Sequence, residues 1–269
     1  MTNDLTQSVA TLVAGFCAVF CVMAVTMAWA VSRRRLSVVD PIWGAGFVVV
    51  AVVSFAVSTG GDGGTTIRWL LLVLPAAWGV RLAWHIARRN AGAGEDPRYQ
   101  DLVDRSPHGF ARTALTKVFL PQGVAMWLVA LPVMVGMNDE EPVTWLVVVG
   151  VAVWAIGLFF EAVGDWQLAR FKADPANKGQ VMDQGLWRYT RHPNYFGDAT
   201  LWWGIWLVAA SSWVAVGTVI GPLAMTYLLA KGTGKPLTEK AMSESKPGYA
   251  DYVRRTSGFV PLPPRDVVT

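Results

Sequence analysis

The sequence predicts an all-α, polytopic membrane protein with seven transmembrane helices. Its composition favours this class, because 53% of the 269 residues are hydrophobic and only 16% are charged. The mean hydropathy is +0.37, a value that soluble domains rarely reach. The arrangement favours it as well, since the apolar residues are grouped in runs long enough to cross a hydrocarbon core.

Seven apolar segments are predicted to span the membrane: residues 9–31, 41–58, 67–87, 118–137, 143–164, 195–210 and 213–230. The last two are short and closely spaced, which predicts a tight helical hairpin. No stretch has the composition of a separate soluble domain. We therefore expect a single integral membrane domain over residues 1–269, with residues 231–269 forming a cytoplasmic tail.

The positive charges lie on alternate loops. Twenty-one of the 23 Lys and Arg fall after the first, third, fifth and seventh segments, and only Arg68 and Arg81 fall elsewhere. The positive-inside rule then places the N-terminus outside and the C-terminus in the cytoplasm. The basic balance is explained by this orientation, so no nucleic-acid partner is expected.

The most informative stretch is residues 185–198, Gly-Leu-Trp-Arg-Tyr-Thr-Arg-His-Pro-Asn-Tyr-Phe-Gly-Asp. Pro193 fits the first turn of a helix, where its missing N–H costs nothing. Arg191 and His192 are then expected at a helix start near the bilayer surface, where the helix dipole favours an anion. Asn194, Tyr195 and Asp198 follow on one polar stripe. A simpler interpretation is an interfacial Arg-rich anchor with Asp198 paired to a neighbour.

Other polar side chains also fall at membrane depth, towards the cytoplasmic ends of their segments. They are Asp40 in the second segment, Arg81, His85 and Arg88 in the third, and Glu161 and Asp165 in the fifth. Isolated charges are costly in hydrocarbon, so these groups are expected to face one another or a wet cavity. A network of ion pairs is one interpretation, and a polar cavity open to the cytoplasm is the other.

Such a cavity suits a nucleotide. Cations beside a helix start favour phosphates, carboxylates suit ribose hydroxyls, and aromatic side chains suit a flat ring. The chain has neither a Gly-x-Gly-x-x-Gly motif after a strand nor a P-loop, which excludes the soluble nucleotide folds. We also find no Cys/His cluster and no Gly-x-Ser-x-Gly motif, so no metal site and no hydrolase is predicted.

A second polar stretch lies upstream of residues 185–198 and reads Glu161-Ala-Val-Gly-Asp-Trp-Gln-Leu-Ala-Arg-Phe-Lys. Together the two stretches resemble the steroid 5-alpha-reductase-like family of membrane reductases, in particular its bacterial branch, a domain of unknown function. The tail motif of residues 246–261, with Tyr249, Tyr252 and a terminal Val-Pro, fits the same superfamily. The similarity is strongest over residues 155–262. It implies seven helices, a cytoplasmic NADPH pocket, and hydride transfer to a carbon–carbon double bond of a steroid-like or lipid-like substrate.

The resemblance also implies roles for individual residues. Asp165, with Arg170 or Lys172, would hold the adenosine-phosphate end of NADPH, with Lys178 beside them. The pyrophosphate, ribose and nicotinamide would be held by Arg191, His192, Asn194, Tyr195 and Asp198, with Arg188 and Tyr189 in the same motif.

The substrate half departs from the family pattern. Steroid reductases polarise the substrate carbonyl with a Glu from the second helix and a Tyr from the third. Here the only acidic residue of the second segment is Asp40, at its start, and the third segment has His85 where a Tyr is expected. His85 and Tyr195 are therefore the candidate catalytic donors, because a neutral or protonated imidazole can donate near neutral pH. A structural role for His85 beside a partner such as Glu161 is equally open.

Two alternatives remain at this point. Isoprenylcysteine carboxyl methyltransferases share the Arg-His-Pro-x-Tyr signature, and they bind S-adenosylmethionine with it. Against this, Phe196-Gly197-Asp198 resembles the Phe-Gly-Glu of the reductases, and Glu239 and Glu244 are not consecutive as acids in the methyltransferase tail usually are. A non-catalytic, lipid-binding membrane protein is the third possibility.

Overall fold

The structure, a computed structural model, describes residues 2–61, 64–139 and 142–265. Within these ranges every regular element is helical, apart from a single parallel bridge between Thr190 and Ser257. The last four residues of the predicted tail, 266–269, lie outside the described residues. The all-α class is therefore confirmed for the described part of the chain.

The chain forms two compact units, one of residues 1–147 and 205–221 and the other of residues 148–204 and 222–269. The first unit contains α1 Thr2–Arg33, α2 Val39–Ser58, α3 Thr65–Asn90, α4 Pro97–Asp104, α5 Phe110–Thr113, α6 Leu120–Val129, α7 Leu131–Gly136 and α10 Trp213–Gly217. The second is built on α8 Thr144–Ala173, α9 Pro193–Ala209, α11 Ile220–Ala230, α12 Lys235–Ser245 and α13 Tyr249–Arg255. The prediction of one integral domain stays a prediction.

Five segments of the described chain are long and apolar enough to cross a membrane: Thr6–Arg33, Val39–Ser58, Thr65–Asn90, Thr144–Ala173 and Trp213–Ser245. Their apolar side chains are widely exposed, as with Val25 at 72% and Val148 at 64%. Exposed apolar faces of this extent indicate contact with lipid. The chain is therefore a membrane protein.

Seven spans and the orientation are not confirmed. Most of the predicted segment 118–137 is divided between α6 and α7, which meet at Ala130 just before Pro132. Proline lacks the N–H that a continuous helix would need there. The predicted segment 195–210 lies in α9 except for its last residue, and the 17 residues of α9 extend about 25 Å, short of a hydrocarbon core of about 30 Å.

Glycines allow close packing in both units. In the first, a Cβ placed on Gly44 of α2 would lie 2.5 Å from the carbonyl oxygen of Gly79 in α3. In the second, a Cβ on Gly197 of α9 would lie 2.5 Å from the carbonyl oxygen of Gly157 in α8. Small residues at such crossings let membrane helices approach backbone to backbone. The contact between α8 and α9 fixes the polar residues at the ends of these two helices.

Candidate functional site

A loop between α8 and α9 is pinned to α8 by two hydrogen bonds. The backbone N–H of Leu186 donates to Gln167 Oε1 at 3.0 Å, and the indole N–H of Trp187 donates to the Gly164 carbonyl at 3.0 Å. Gly185 has a φ of +58°, in the left-handed region that favours glycine. The loop therefore reaches the start of α9 along a defined path.

Asp165 and Asn194 come together where α8 and α9 meet. Asn194 Nδ2 donates to Asp165 Oδ1 at 3.1 Å, and Asp165 is 7% exposed. Gly164 allows this approach, because a Cβ there would lie 3.1 Å from a ring carbon of Pro193. Two of the polar residues singled out in the sequence, one from the fifth predicted segment and one from the start of the sixth, therefore contact each other.

Arg191 is buried and attached to the tail. Its Nε donates to Glu239 Oε1 at 2.8 Å, and its Nη1 donates to the carbonyls of Thr256 at 2.5 Å and Val253 at 3.2 Å. Its backbone N–H donates to the Ser257 carbonyl at 2.9 Å. The guanidinium thus satisfies protein acceptors, and its assignment to a pyrophosphate stays a prediction.

His192 and Tyr195 form a stacked pair at the start of α9. Their ring centroids lie 5.1 Å apart, with 2° between the ring planes. His192 Nε2 lies 3.3 Å from Glu239 Oε1, and the Tyr195 hydroxyl lies 3.1 Å from the Thr238 hydroxyl. Burial lowers the pKa of His192, although Glu239 opposes the shift. A neutral imidazole is therefore favoured near pH 7.

The remaining predicted cofactor residues fall into a buried group and an exposed group. Asp198 is buried in α9, at 8% exposure. The others are exposed around the end of α8 and the following loop: Arg170, Lys172, Lys178, Arg188 and Tyr189. Arg170 lies over the ring of Trp166, with 5.7 Å to the centroid. Their roles toward a cofactor stay predictions.

Sequence reasoning missed the part that α12 has in this corner. Glu239, Thr238 and Lys235 reach the site residues, with Lys235 Nζ 3.9 Å from Glu239 Oε2. The sequence signal for this helix is Lys-Pro-Leu-Thr-Glu-Lys, because a proline is common in the first turn of a helix. Tyr249 and Tyr252 of the tail motif are both buried, and the Tyr252 hydroxyl donates to the Trp187 carbonyl.

The first unit holds a second polar cluster, at the start of α2. The Tyr99 hydroxyl donates to Asp40 Oδ1 at 2.6 Å, and Arg98 Nη2 lies 3.8 Å from Asp40 Oδ2. Burial raises the pKa of Tyr99, so its hydroxyl stays protonated. The sequence singled out Asp40 but not Tyr99, which lies on α4. His85 is half-buried in α3, and its catalytic role stays a prediction.

Comparison with known proteins gives the family. The model of a family described as "Protein of unknown function (DUF1295)" matches residues 26–256, most of the chain. The chain belongs to the DUF1295 family. This match confirms the predicted resemblance at the level of family.

The chain is also similar to the steroid 5-alpha-reductase DET2 of Arabidopsis thaliana, with 35% identity over 74 residues. The matched stretch covers 27% of this chain and 28% of the relative, so the chain spans just over a quarter of the curated protein it matches. No solved structure matches the chain. The DUF1295 match includes both polar clusters, at Asp40–Tyr99 and at the start of α9.

Proposed function

We propose that this DUF1295 protein is a membrane-embedded, NADPH-dependent oxidoreductase that reduces a carbon–carbon double bond of a lipophilic, steroid-like or lipid-like substrate. The observation that carries the proposal is the corner at the start of α9, where Asp165 meets Asn194 and His192 stacks on Tyr195. Family membership and the partial similarity to a protein named as a steroid 5-alpha-reductase support it.

The side chains of this corner fit the parts of NADPH. The Asp165 carboxylate and the Asn194 amide are suited to ribose hydroxyls. The exposed Arg170, Lys172 and Lys178 are suited to the 2'-phosphate, with Arg188 beside the pyrophosphate. The stacked pair of His192 and Tyr195 offers an aromatic face to a nicotinamide ring. Asp198 and Tyr189 complete the proposed set.

When bound, NADPH would supply a hydride to the β carbon of a conjugated double bond. The protein must then stabilise negative charge on the substrate carbonyl oxygen with a hydrogen-bond donor. We propose Tyr195 and His85 as donors.

Two single variants separate these donors: Tyr195→Phe and His85→Phe. The true donor should lose at least about tenfold in turnover while keeping near-normal NADPH affinity, because its bond strengthens in the transition state. A variant that loses NADPH binding and thermal stability together identifies a structural residue. Full turnover in both variants would contradict a donor role for each of them.

We further propose that the protein lies in a bacterial inner membrane with its N-terminus outside and the cofactor corner at the cytoplasmic surface.

The test of function is thermal stabilisation of the detergent-solubilised protein by NADPH, NADH and S-adenosylmethionine, compared side by side. A ligand at about a hundredfold excess over its Kd stabilises a protein by roughly 2.7 kcal/mol. We expect the largest rise in Tm with NADPH. A larger rise with S-adenosylmethionine would identify a methyltransferase instead.

A further inference from the structure

Helix α12 holds both aromatic rings of the proposed cofactor corner by their polar atoms. Glu239 Oε1 lies 3.3 Å from His192 Nε2, and the hydroxyl of the preceding residue, Thr238, lies 3.1 Å from that of Tyr195. The two rings are parallel within 2°. Two consecutive residues of the tail therefore contact two rings at the start of α9.

The contact with Glu239 also determines which imidazole nitrogen carries the hydrogen. A carboxylate can only accept, so a neutral His192 must carry its hydrogen on Nε2 to bond with Glu239. Its Nδ1 is then a hydrogen-bond acceptor. His192 is 3% exposed, so bulk water has little access to compete for the ring.

We infer that Glu239 is a positioning residue, which fixes His192 as the Nε2–H tautomer against the ring of Tyr195 and leaves Nδ1 as an acceptor at the cofactor corner. The tautomer follows from this structure alone, and its effect on NADPH rests on the function proposed above. A carboxylate that fixes the tautomer and orientation of a functional histidine is a recurrent device in metal sites and catalytic triads.

A second role for Glu239, as an anchor for the tail, must be distinguished from the positioning of His192. The same Oε1 atom accepts from Arg191 Nε at 2.8 Å, and Lys235 Nζ approaches the other oxygen. Glu239 could therefore act only as an anchor for the tail, through Arg191. Loss of stability alone does not distinguish the two roles, whereas the state of the His192 ring does.

The first measurement is the nitrogen NMR spectrum of protein carrying ¹⁵N-labelled histidine. The chain has three histidines, and His85→Gln and His108→Gln variants assign the signals. We expect the wild type to show a protonated Nε2 and an unprotonated Nδ1 for His192. Glu239→Gln should mix the tautomers, whereas Glu244→Gln, at an exposed position on the same helix, should not. A wild-type Nδ1–H ring, or an unchanged spectrum in Glu239→Gln, overturns the inference.

The second measurement is a double-mutant cycle on NADPH affinity. Glu239→Gln should weaken binding at least about fivefold in the wild-type background. In a His192→Phe background, which keeps an aromatic ring, the same change should weaken binding less than about twofold. Equal losses in both backgrounds would show that Glu239 acts through Arg191, and the positioning role would be wrong.

The proposed function and the role of Glu239 can be contradicted independently of each other. If the wild type does not bind NADPH, the proposed function fails, and the histidine spectra still decide whether Glu239 fixes the ring. If Glu239→Gln does not fold, Glu239→Asp replaces it, since this change keeps the charge and shortens the side chain. A His192 spectrum that is the same in Glu239→Asp and the wild type then overturns the inference.

Discussion

The second unit carries its positive charge in two different settings. Arg191 is 8% exposed and donates to Glu239 and to two backbone carbonyls of the tail. Arg170, Lys172, Lys178 and Arg188 are exposed. In the sequence all five are cations of the stretch that follows the fifth predicted segment. The difference shows that burial and local acceptors decide whether a cation serves the fold, and that the exposed cations are the better candidates for phosphate.

The largest effect is expected when the buried cation is removed. Arg191→Met keeps much of the side-chain volume but leaves the Glu239 carboxylate and the carbonyls of Val253 and Thr256 without this donor. Breaking a buried, hydrogen-bonded ion pair costs about 3–5 kcal/mol. Chemical denaturation in detergent measures the loss.

Two further variants serve as comparisons for Arg191→Met. Arg188→Met, at an exposed position three residues earlier, should change stability little. Arg191→Met combined with Glu239→Gln should be less destabilised than Arg191→Met alone, because it removes the buried charge left behind. If Arg191→Met unfolds at the same denaturant concentration as the wild type, the structural role of Arg191 is wrong.

The second expected effect concerns the scaffold that brings Asp165 to Asn194. A Cβ on Gly197 would lie 2.4 Å from the Glu161 backbone nitrogen, so Gly197→Ala must push α9 away from α8. Overpacking of this kind costs about 1–3 kcal/mol and should weaken NADPH binding with it. Gly217→Ala is the matched control, because nothing lies within 4 Å of its Cβ position. Equal stability of both variants would contradict the close packing.

The third prediction tests the exposed cations. Arg170→Ala combined with Lys172→Ala should weaken NADPH by about tenfold or more, or roughly 1.4 kcal/mol, and leave NADH nearly unchanged. The reason is that a 2'-phosphate is present only on NADPH. Equilibrium titration with both nucleotides measures the difference, and Lys240→Ala, an exposed cation on α12, is the control. An equal loss for both nucleotides would remove these residues from the phosphate site.

The smallest expected effect depends on pH. Burial lowers the pKa of His192 below its unfolded value of about 6.5, so the folded state binds fewer protons than the unfolded chain. Its contribution to stability is complete above about pH 6.5 and is lost as the pH falls through the lowered pKa. His192→Phe should therefore make Tm less dependent on pH in this range. A steeper dependence in the variant would contradict a neutral, buried ring.

Composition and periodicity predicted the helical class and the membrane location, and they singled out Asp165 and Asn194 as polar groups without predicting that they pair. These features depend on local patterns: apolar runs, a proline at a helix start, and polar groups that must avoid lipid. The sequence could not assign Arg191 to the tail, since Val253 and Thr256 lie more than sixty positions away and contribute only backbone carbonyls. Carbonyl acceptors leave no signature in side-chain chemistry.

Two further features depend on distant packing. Glu239 and Thr238 belong to a short polar helix with no apolar periodicity to mark the face it buries, yet they contact His192 and Tyr195. The pairing of Asp40 with Tyr99 crosses 59 positions, from α2 to α4. The break at Ala130, by contrast, had a local signal in Pro132, but prolines are tolerated inside membrane helices, so the signal did not decide the outcome.

The central claim is that the corner at the start of α9 binds NADPH. The most direct test is quenching of intrinsic tryptophan fluorescence by NADPH, compared between the wild type and Asp165→Asn. Asparagine can still accept from Asn194, so the variant should keep its Tm. We predict saturable NADPH binding to the wild type and binding at least about tenfold weaker to the variant, because a hydrogen bond to a charged group contributes roughly 1.5–3 kcal/mol. Equal affinity in the two proteins, or no saturable binding to the wild type, would contradict the account.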